Sequence, residues 1–301
     1  MISQFYKNSF VMFALISILS YGILAFNIEN QGINIDEVFH HSFGMTYFDL
    51  MVEGKILDPC ITGIGDCNLI DLTCTNLTPA IYSGGVVKGV LLGIGDHFFS
   101  ENDRIYYATN DAPNCRPIHN NVAVSGVNIP TQSELAAARF FSPILGSLTI
   151  AISFFIGKLL FSRFVGASFA AVLLFHGLWI HHSRIITSEV YVNFFIILSV
   201  FLLLYGNNKD KKTMMKFLIF GAITFALAVN TKMTSLELLP FLIMIIVFIQ
   251  QPFNENINFR KLWNKRFFLK SIALVSIFIG VFFGALFGTS PFYYPDPISQ
   301  L

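Results

Sequence analysis

Asp36 and Glu37 stand side by side, and His40 and His41 follow as a second adjacent pair, in the octet Asn34-Ile35-Asp36-Glu37-Val38-Phe39-His40-His41. In a helix, Asp36 and His40 would share one face four residues apart, and Glu37 and His41 would share the next. Such an arrangement can hold a general base, a cation or a metal ion. A purely architectural reading is equally open, because Asn34 followed three residues later by Glu37 is a capping box and acids favour a helix N-terminus. The octet comes just after a long apolar run, where ionisable groups are costly unless a site uses them.

The elements that must position it belong to a membrane. Of 301 residues, 54% are hydrophobic and only 12% charged, with 34 Phe, and the mean hydropathy is +0.64. That composition excludes a soluble surface. Lys7 precedes an apolar run over 9–26 that is long enough to cross a bilayer, with no small-x-small cleavage signal at its end, so it reads as an uncleaved signal anchor. Further runs follow at about 137–160, 165–180, 190–205, 217–229, 236–249 and 269–288. The expected fold is an all-α polytopic membrane protein of about seven spans, a single membrane domain over 1–301.

Charge sidedness orients it. With the N-terminus inside, the inner loops collect Lys7, Lys158, Arg163, the cluster Lys209, Lys211, Lys212 and Lys216, and the cluster from Arg260 to Lys270. Only Asp210 and Glu255 accompany them as acids. The positive-inside rule asks for this bias, and the inverted topology would violate it. The octet and the C-terminus are then extracytoplasmic.

The outer segment 27–136 is too long for a structureless loop. Met45 to Val52 continues the apolar periodicity and predicts a helix along the membrane surface. Leu57 to Thr78, rich in Gly, Asp, Asn, Thr and Cys, reads as a stapled loop. All four cysteines, Cys60, Cys67, Cys74 and Cys115, fall in the outer segment, which suits a disulfide-permitting compartment, and three pairings are open. Zinc is the competing use, but neither C-x6-C spacing is that of a zinc knuckle. The run Ala80 to Phe99 carries Gly84, Gly85, Lys88, Gly93, Gly95 and Asp96, which predicts an interfacial or re-entrant helix, with an eighth crossing left open. Asn76-Leu77-Thr78 matches a glycosylation sequon, disfavoured by the following Pro79.

Further chemistry recurs at the outer edges of the spans. Arg139 sits at the mouth of the second span, either snorkelling to head groups or clamping a phosphate. The turn from His181 to Glu189 packs two histidines, Arg184 and Glu189 into nine residues, His182 among them, and Lys232 breaks an apolar hairpin with Glu237 five residues on, either as its partner or facing the bundle interior. His176, within the third span, reads as a core histidine. The tail Pro291-Phe292-Tyr293-Tyr294-Pro295-Asp296-Pro297 is stiffened by three prolines.

In order along the chain, these features resemble the multispan, polyprenyl-phosphate-sugar-dependent glycosyltransferases of the GT-C fold, in particular their protein O-mannosyltransferase and aminoarabinose-transferase branch. The acid pair follows the first span, and Thr78-Pro79-Ala80 with the Gly-punctuated run to Phe98 looks like that family's proline-led interfacial segment, lacking its first proline. Ala137-Ala138-Arg139-Phe140-Phe141-Ser142 with Gly146 looks like the start of its second span. His182-Ser183-Arg184-Ile185-Ile186-Thr187-Ser188-Glu189 looks like its Arg-to-Asp turn with Glu in place of Asp, and Thr231-Lys232 with Leu238-Leu239-Pro240 like its later hairpin. The proline-rich tail is similar to a family outer loop. Family members continue past this point with further spans, so the resemblance covers the conserved seven-span core, with acceptor recognition expected from other segments or a partner subunit.

The resemblance implies a sugar delivered on a polyprenyl phosphate in the membrane lipid, and a glycan, lipid or protein acceptor whose hydroxyl attacks the anomeric carbon with inversion. Asp36 is the implied base, with Glu37 second, and Arg139, Arg184 or Lys232, or a divalent metal, would offset the charge of the departing phosphate. His40, His41, His182 and Glu189 are implied to contact substrate, or His40 and His41 a metal. The cofactor is otherwise undefined. A non-catalytic accessory or scaffold subunit of the same fold is the alternative. A transporter fits less well, because transporters place ionisable residues near the midplane. No basic surface suggests nucleic acid.

Overall fold

The computed structural model describes residues 2–32, 35–55, 86–100, 132–207, 209–248 and 265–290. All four cysteines, the sequon, Pro79 and the proline-rich tail lie outside them. Among the described residues every regular element is helical. These are α1 (Ile2–Ala25), α2 (Ile35–Val52), α3 (Val86–Phe99), α4 (Gln132–Ala138), α5 (Phe141–Leu160), α6 (Arg163–Phe175), α7 (Gly177–His182), α8 (Ser188–Asn207), α9 (Lys211–Thr231), α10 (Leu239–Phe248) and α11 (Lys265–Thr289). Short 3-10 turns at Ile28–Asn30 and Met233–Leu238 join α1 to α2 and α9 to α10.

Five segments are long and apolar enough to cross a membrane: Phe10–Asn30, Gln132–Leu160, Ser188–Asn207, Lys211–Thr231 and Lys265–Thr289. The apolar pieces Arg163–Phe175 and Met233–Phe248 are shorter. The chain is an integral membrane protein, and two of the seven expected runs, 165–180 and 236–249, form these shorter helices. The first is interrupted at His176, whose backbone is extended and whose imidazole Nδ1 accepts from Trp179 N, capping α7. The ring is exposed, so this histidine caps a helix and is not part of the core. The second begins as a 3-10 turn and becomes α-helical at Leu239-Pro240, where a proline in the first turn lacks only an N–H that the helix would leave unpaired.

Helix α5 is the centre of the bundle, with most of its residues buried, and it packs against α1, α6 and α8. Gly157 and Gly166 bring α5 and α6 into backbone contact, since a Cβ on Gly157 would stand 2.8 Å from the Gly166 Cα. Aromatic and aliphatic residues of α8, α9, α10 and α11, among them Phe225, Leu242, Phe278 and Phe282, form the largest apolar core. A second core of Leu92, Leu135, Leu145, Ile186, Val190 and Tyr191 lies where α3, α4, α5 and α8 meet. By contrast α1 leaves Phe10, Ile18 and Leu19 exposed, which suits a helix facing lipid. Asn230 ties α9 to α11 by donating to the Leu286 carbonyl and to Thr289 Oγ1.

Candidate functional site

The octet does enter a helix. It opens α2, which continues through Met45–Val52 and closes with Gly54 at positive φ, Gly54 N donating to Met51 O and Lys55 N to Leu50 O, a Schellman ending. Asp36 occupies the position one turn before His40 in α2, but its side chain, like Asn34, lies outside the described residues. The Asn34–Glu37 capping box therefore falls outside them too.

Glu37 is fully buried, and its carboxylate meets Arg139 in a two-pronged pair, Nε to Oε1 at 2.8 Å and Nη2 to Oε2 at 2.6 Å. Glu37 Oε1 also accepts from Ile186 N at 2.7 Å. The remaining Arg139 donors reach the carbonyls of Ile28 and Gln31 through Nη1, both at 3.2 Å, and of Gly32 through Nη2 at 3.0 Å. A guanidinium has five N–H donors, and all five are engaged here. Arg139 thus neither snorkels nor faces an open mouth: the turn between α4 and α5 buries it completely. Arg184 extends the same grip, its Nη2 donating to the carbonyls of Phe26 and Asn27. Two arginines from distant parts of the chain therefore hold the turn from α1 to α2 by its backbone.

Beyond that clasp, α2 lies tightly on α3. A Cβ on Gly44 would stand 2.8 Å from the Leu92 Cβ, and one on Gly93 would run into the Phe48 side chain, so both positions require glycine for the helices to approach. Polar contacts also cross this interface. His41 Nε2 lies 3.2 Å from Asp96 Oδ1, both buried. His40 Nδ1 lies 2.8 Å from Lys88 Nζ, and the same ammonium donates to Ser188 Oγ at 3.0 Å. The run over 80–99 thus supplies, from Val86 onward, a helix packed on the octet that carries one of its cations.

Glu189, in the first turn of α8, accepts from Lys232 Nζ at 2.9 Å, with both side chains about two-fifths exposed. Lys232 sits at the C-terminal end of α9 in extended conformation, and its carboxylate partner is 43 residues earlier in the chain; Glu237 is exposed. His182 is half-buried within electrostatic reach of Glu189, and its ring stands edge-on to His181 at 5.5 Å. Burial first, and then the Lys88 ammonium, drive the His40 imidazole from its ordinary 6.5 down to about 3; Glu189 opposes this and Lys232 adds to it. At neutral pH His40 carries no charge.

One end of the bundle thus brings together His40 from α2, Lys88 from α3, Ser188 and Glu189 from α8 and Lys232 from α9, on the helix that carries Asp36. Glu37, Arg139 and Arg184 form the neighbouring backbone clasp, and His41 turns toward α3. Lys88, Asp96 and Ser188 join the site only through the fold. A lone lysine and a lone aspartate in an apolar, glycine-rich helix were the available signal, since such charges are retained where they find partners. No group of three or more His, Cys, Asp or Glu side chains with metal-binding geometry occurs among the described residues.

No curated protein and no solved structure matches the chain. The family model for dolichyl-phosphate-mannose-protein mannosyltransferases matches residues 116–289, which takes in every helix from α4 to α11. That family transfers mannose from a polyprenyl-phosphate carrier to protein. With more than half its length matched, and with apolar helices to hold a lipid-linked donor, the chain belongs to the dolichyl-phosphate-mannose-protein mannosyltransferase family and is a membrane glycosyltransferase of GT-C type.

Proposed function

We propose that the chain transfers mannose with inversion to a hydroxyl of a protein acceptor at the extracytoplasmic membrane face, with Asp36 as general base. The N-terminus is then cytoplasmic and the C-terminus outside, as the distribution of basic residues asks. The observation that carries this reading is the convergence of Lys88, His40, Ser188, Glu189 and Lys232 beside the first turn of α2, where Asp36 sits four positions before His40.

In this reading the acceptor hydroxyl gives its proton to Asp36 as its oxygen attacks the anomeric carbon, and the bond to the lipid phosphate breaks on the opposite side. The departing phosphate is already anionic and calls for positive charge more than for a proton. Lys88 and Lys232 flank Ser188 and Glu189 at the start of α8, where the helix N-terminus itself favours an anion. Glu189 keeps the Lys232 ammonium in place until phosphate competes for it, and His182 lies close enough to contact acceptor or sugar. Glu37, Arg139 and Arg184 act through position: they hold the turn from which the base-bearing helix starts.

The test is transfer of radiolabelled mannose from polyprenyl phosphate to a protein acceptor, by the full chain in membranes. General-base assistance contributes about 10²–10⁴-fold, so Asp36→Asn should lose that much rate while retaining its unfolding temperature. Transfer that survives the substitution removes Asp36 as the base. Retention of anomeric configuration in the product removes the single-displacement mechanism.

A further inference from the structure

His40 lies within electrostatic reach of Lys88 on α3, Glu189 on α8 and Lys232 just past α9, and one contact decides its chemistry. An ammonium group has three N–H donors and no acceptor, so the 2.8 Å contact between Lys88 Nζ and His40 Nδ1 requires Nδ1 to be the acceptor. A neutral imidazole with Nδ1 unprotonated carries its proton on Nε2. Lys88 is itself held from the far side, since Nζ also donates to Ser188 Oγ at 3.0 Å, and it is 1% exposed. The lysine therefore has little freedom to release the ring. His40 Nε2 has no hydrogen-bond partner among the described residues, and the ring is only partly buried.

We propose that Lys88 locks His40 in the Nε2–H tautomer, making it a fixed, uncharged hydrogen-bond donor to an oxygen of the lipid-linked sugar, on either the sugar ring or the phosphate. The assignment rests on the transferase reading for its ligand, but the lock itself does not. It gives the two histidines different tasks. His41 is turned to Asp96 and fastens α2 to α3, whereas His40 presents a donor beside the position of Asp36. A neutral donor suits that place: an imidazolium would compete with the acceptor proton for the base, and a ring free to change tautomer would present Nε2 as an acceptor in one of its two forms. The charged and titratable groups facing His40 are Lys88 from α3, Glu189 from α8 and Lys232 from the end of α9, with Asp36, Glu37 and His41 neighbouring it on α2. Burial first, and then the Lys88 and Lys232 ammonium groups, disfavour ring protonation, and Glu189, itself paired with Lys232, offsets them only in part.

Solid-state nitrogen NMR of the full chain with labelled histidine, in lipid, tests the lock without requiring activity; the His40 signals are identified by their loss in His40→Asn. We expect an unprotonated Nδ1 and a protonated Nε2 from about pH 5 to pH 8, across the range where an ordinary histidine titrates. Lys88→Arg, which still donates, should preserve that state, and Lys88→Met should give mixed tautomers. A protonated Nδ1 in the unaltered protein, or an unchanged tautomer in Lys88→Met, overturns the lock. Should Lys88→Met not fold, the state of the unaltered protein still decides.

Addition of polyprenyl-phosphate mannose should shift the Nε2 resonance. If polyprenyl phosphate alone shifts it equally, the oxygen is on phosphate; if only the mannosylated lipid does, it is on the sugar. No shift with bound lipid, binding being read from the lipid's own phosphorus signal, overturns the donor role. Failure to bind either lipid sinks the transferase reading and the donor role together, and leaves the tautomer result standing on its own.

Discussion

Two carboxylate–cation pairs sit near one another at the same end of the bundle, and they differ in nearly every physical respect. Glu37–Arg139 is sealed, with both side chains 0% exposed, and the arginine is saturated by a bidentate carboxylate and three backbone carbonyls. Glu189–Lys232 is held by a single 2.9 Å contact and is about two-fifths open to its surroundings. Two charges taken out of water keep their stability only while every donor and acceptor stays matched. Such a pair can fix a turn but has nothing left to offer a substrate. A half-exposed lysine with one partner keeps donors for an incoming oxyanion, and its pairing contributes little to the fold. Burial therefore separates the pair that fixes the turn from the pair that stays open to its surroundings.

Breaking the sealed pair should have the largest effect on the fold. Arg139→Met leaves the Glu37 carboxylate uncompensated inside the protein, at a cost of about 3–5 kcal/mol, and removes the grip on three carbonyls. Thermal unfolding in detergent should show a large fall in midpoint; a midpoint near that of the unaltered protein would mean the pair is not the clasp described here.

The tight crossing of α2 and α3 ranks next. Gly93→Ala would push a methyl into the Phe48 side chain, and overpacking of this kind costs about 1–3 kcal/mol. Its mannosyl transfer should fall as well, since Lys88 and His40 are carried on those two helices. Retained transfer with lowered stability would show that the crossing supports the fold without placing the site.

The open pair should behave in the opposite way. Lys232→Met should change stability by no more than about 1 kcal/mol, as exposed ion pairs do, while mannosyl transfer is largely lost. Equal losses of stability and activity would erase the distinction between the two pairs.

A separate test is a pH slope. The His40 ring is held near 3 in the folded chain against about 6.5 when unfolded, so between those values the unfolded chain binds more protons. The His40 contribution to stability is therefore fully present above about pH 6.5 and is lost as pH falls toward 3. Unfolding midpoints measured against pH should show this slope, and His40→Gln should flatten it.

Much of the architecture could be read residue by residue. The apolar runs mark the long helices. The octet, Arg139, the His182–Glu189 turn and Lys232 could be picked out because charges beside apolar helices are conspicuous. Their partners could not. Local spacing suggested Glu237 for Lys232, where folding supplies Glu189, and it left Arg139 facing head groups or phosphate, where folding supplies Glu37.

The sequence by itself determined that this is a helical membrane protein of a mannosyl-transferring family, because hydropathy, charge and motif order are properties of the chain read along its length. Only the tertiary structure decided which charges are sealed together and which remain within reach of a ligand. Those choices depend on how far one helix lies from another and on how deeply their contact is buried, and helical periodicity carries no information about either.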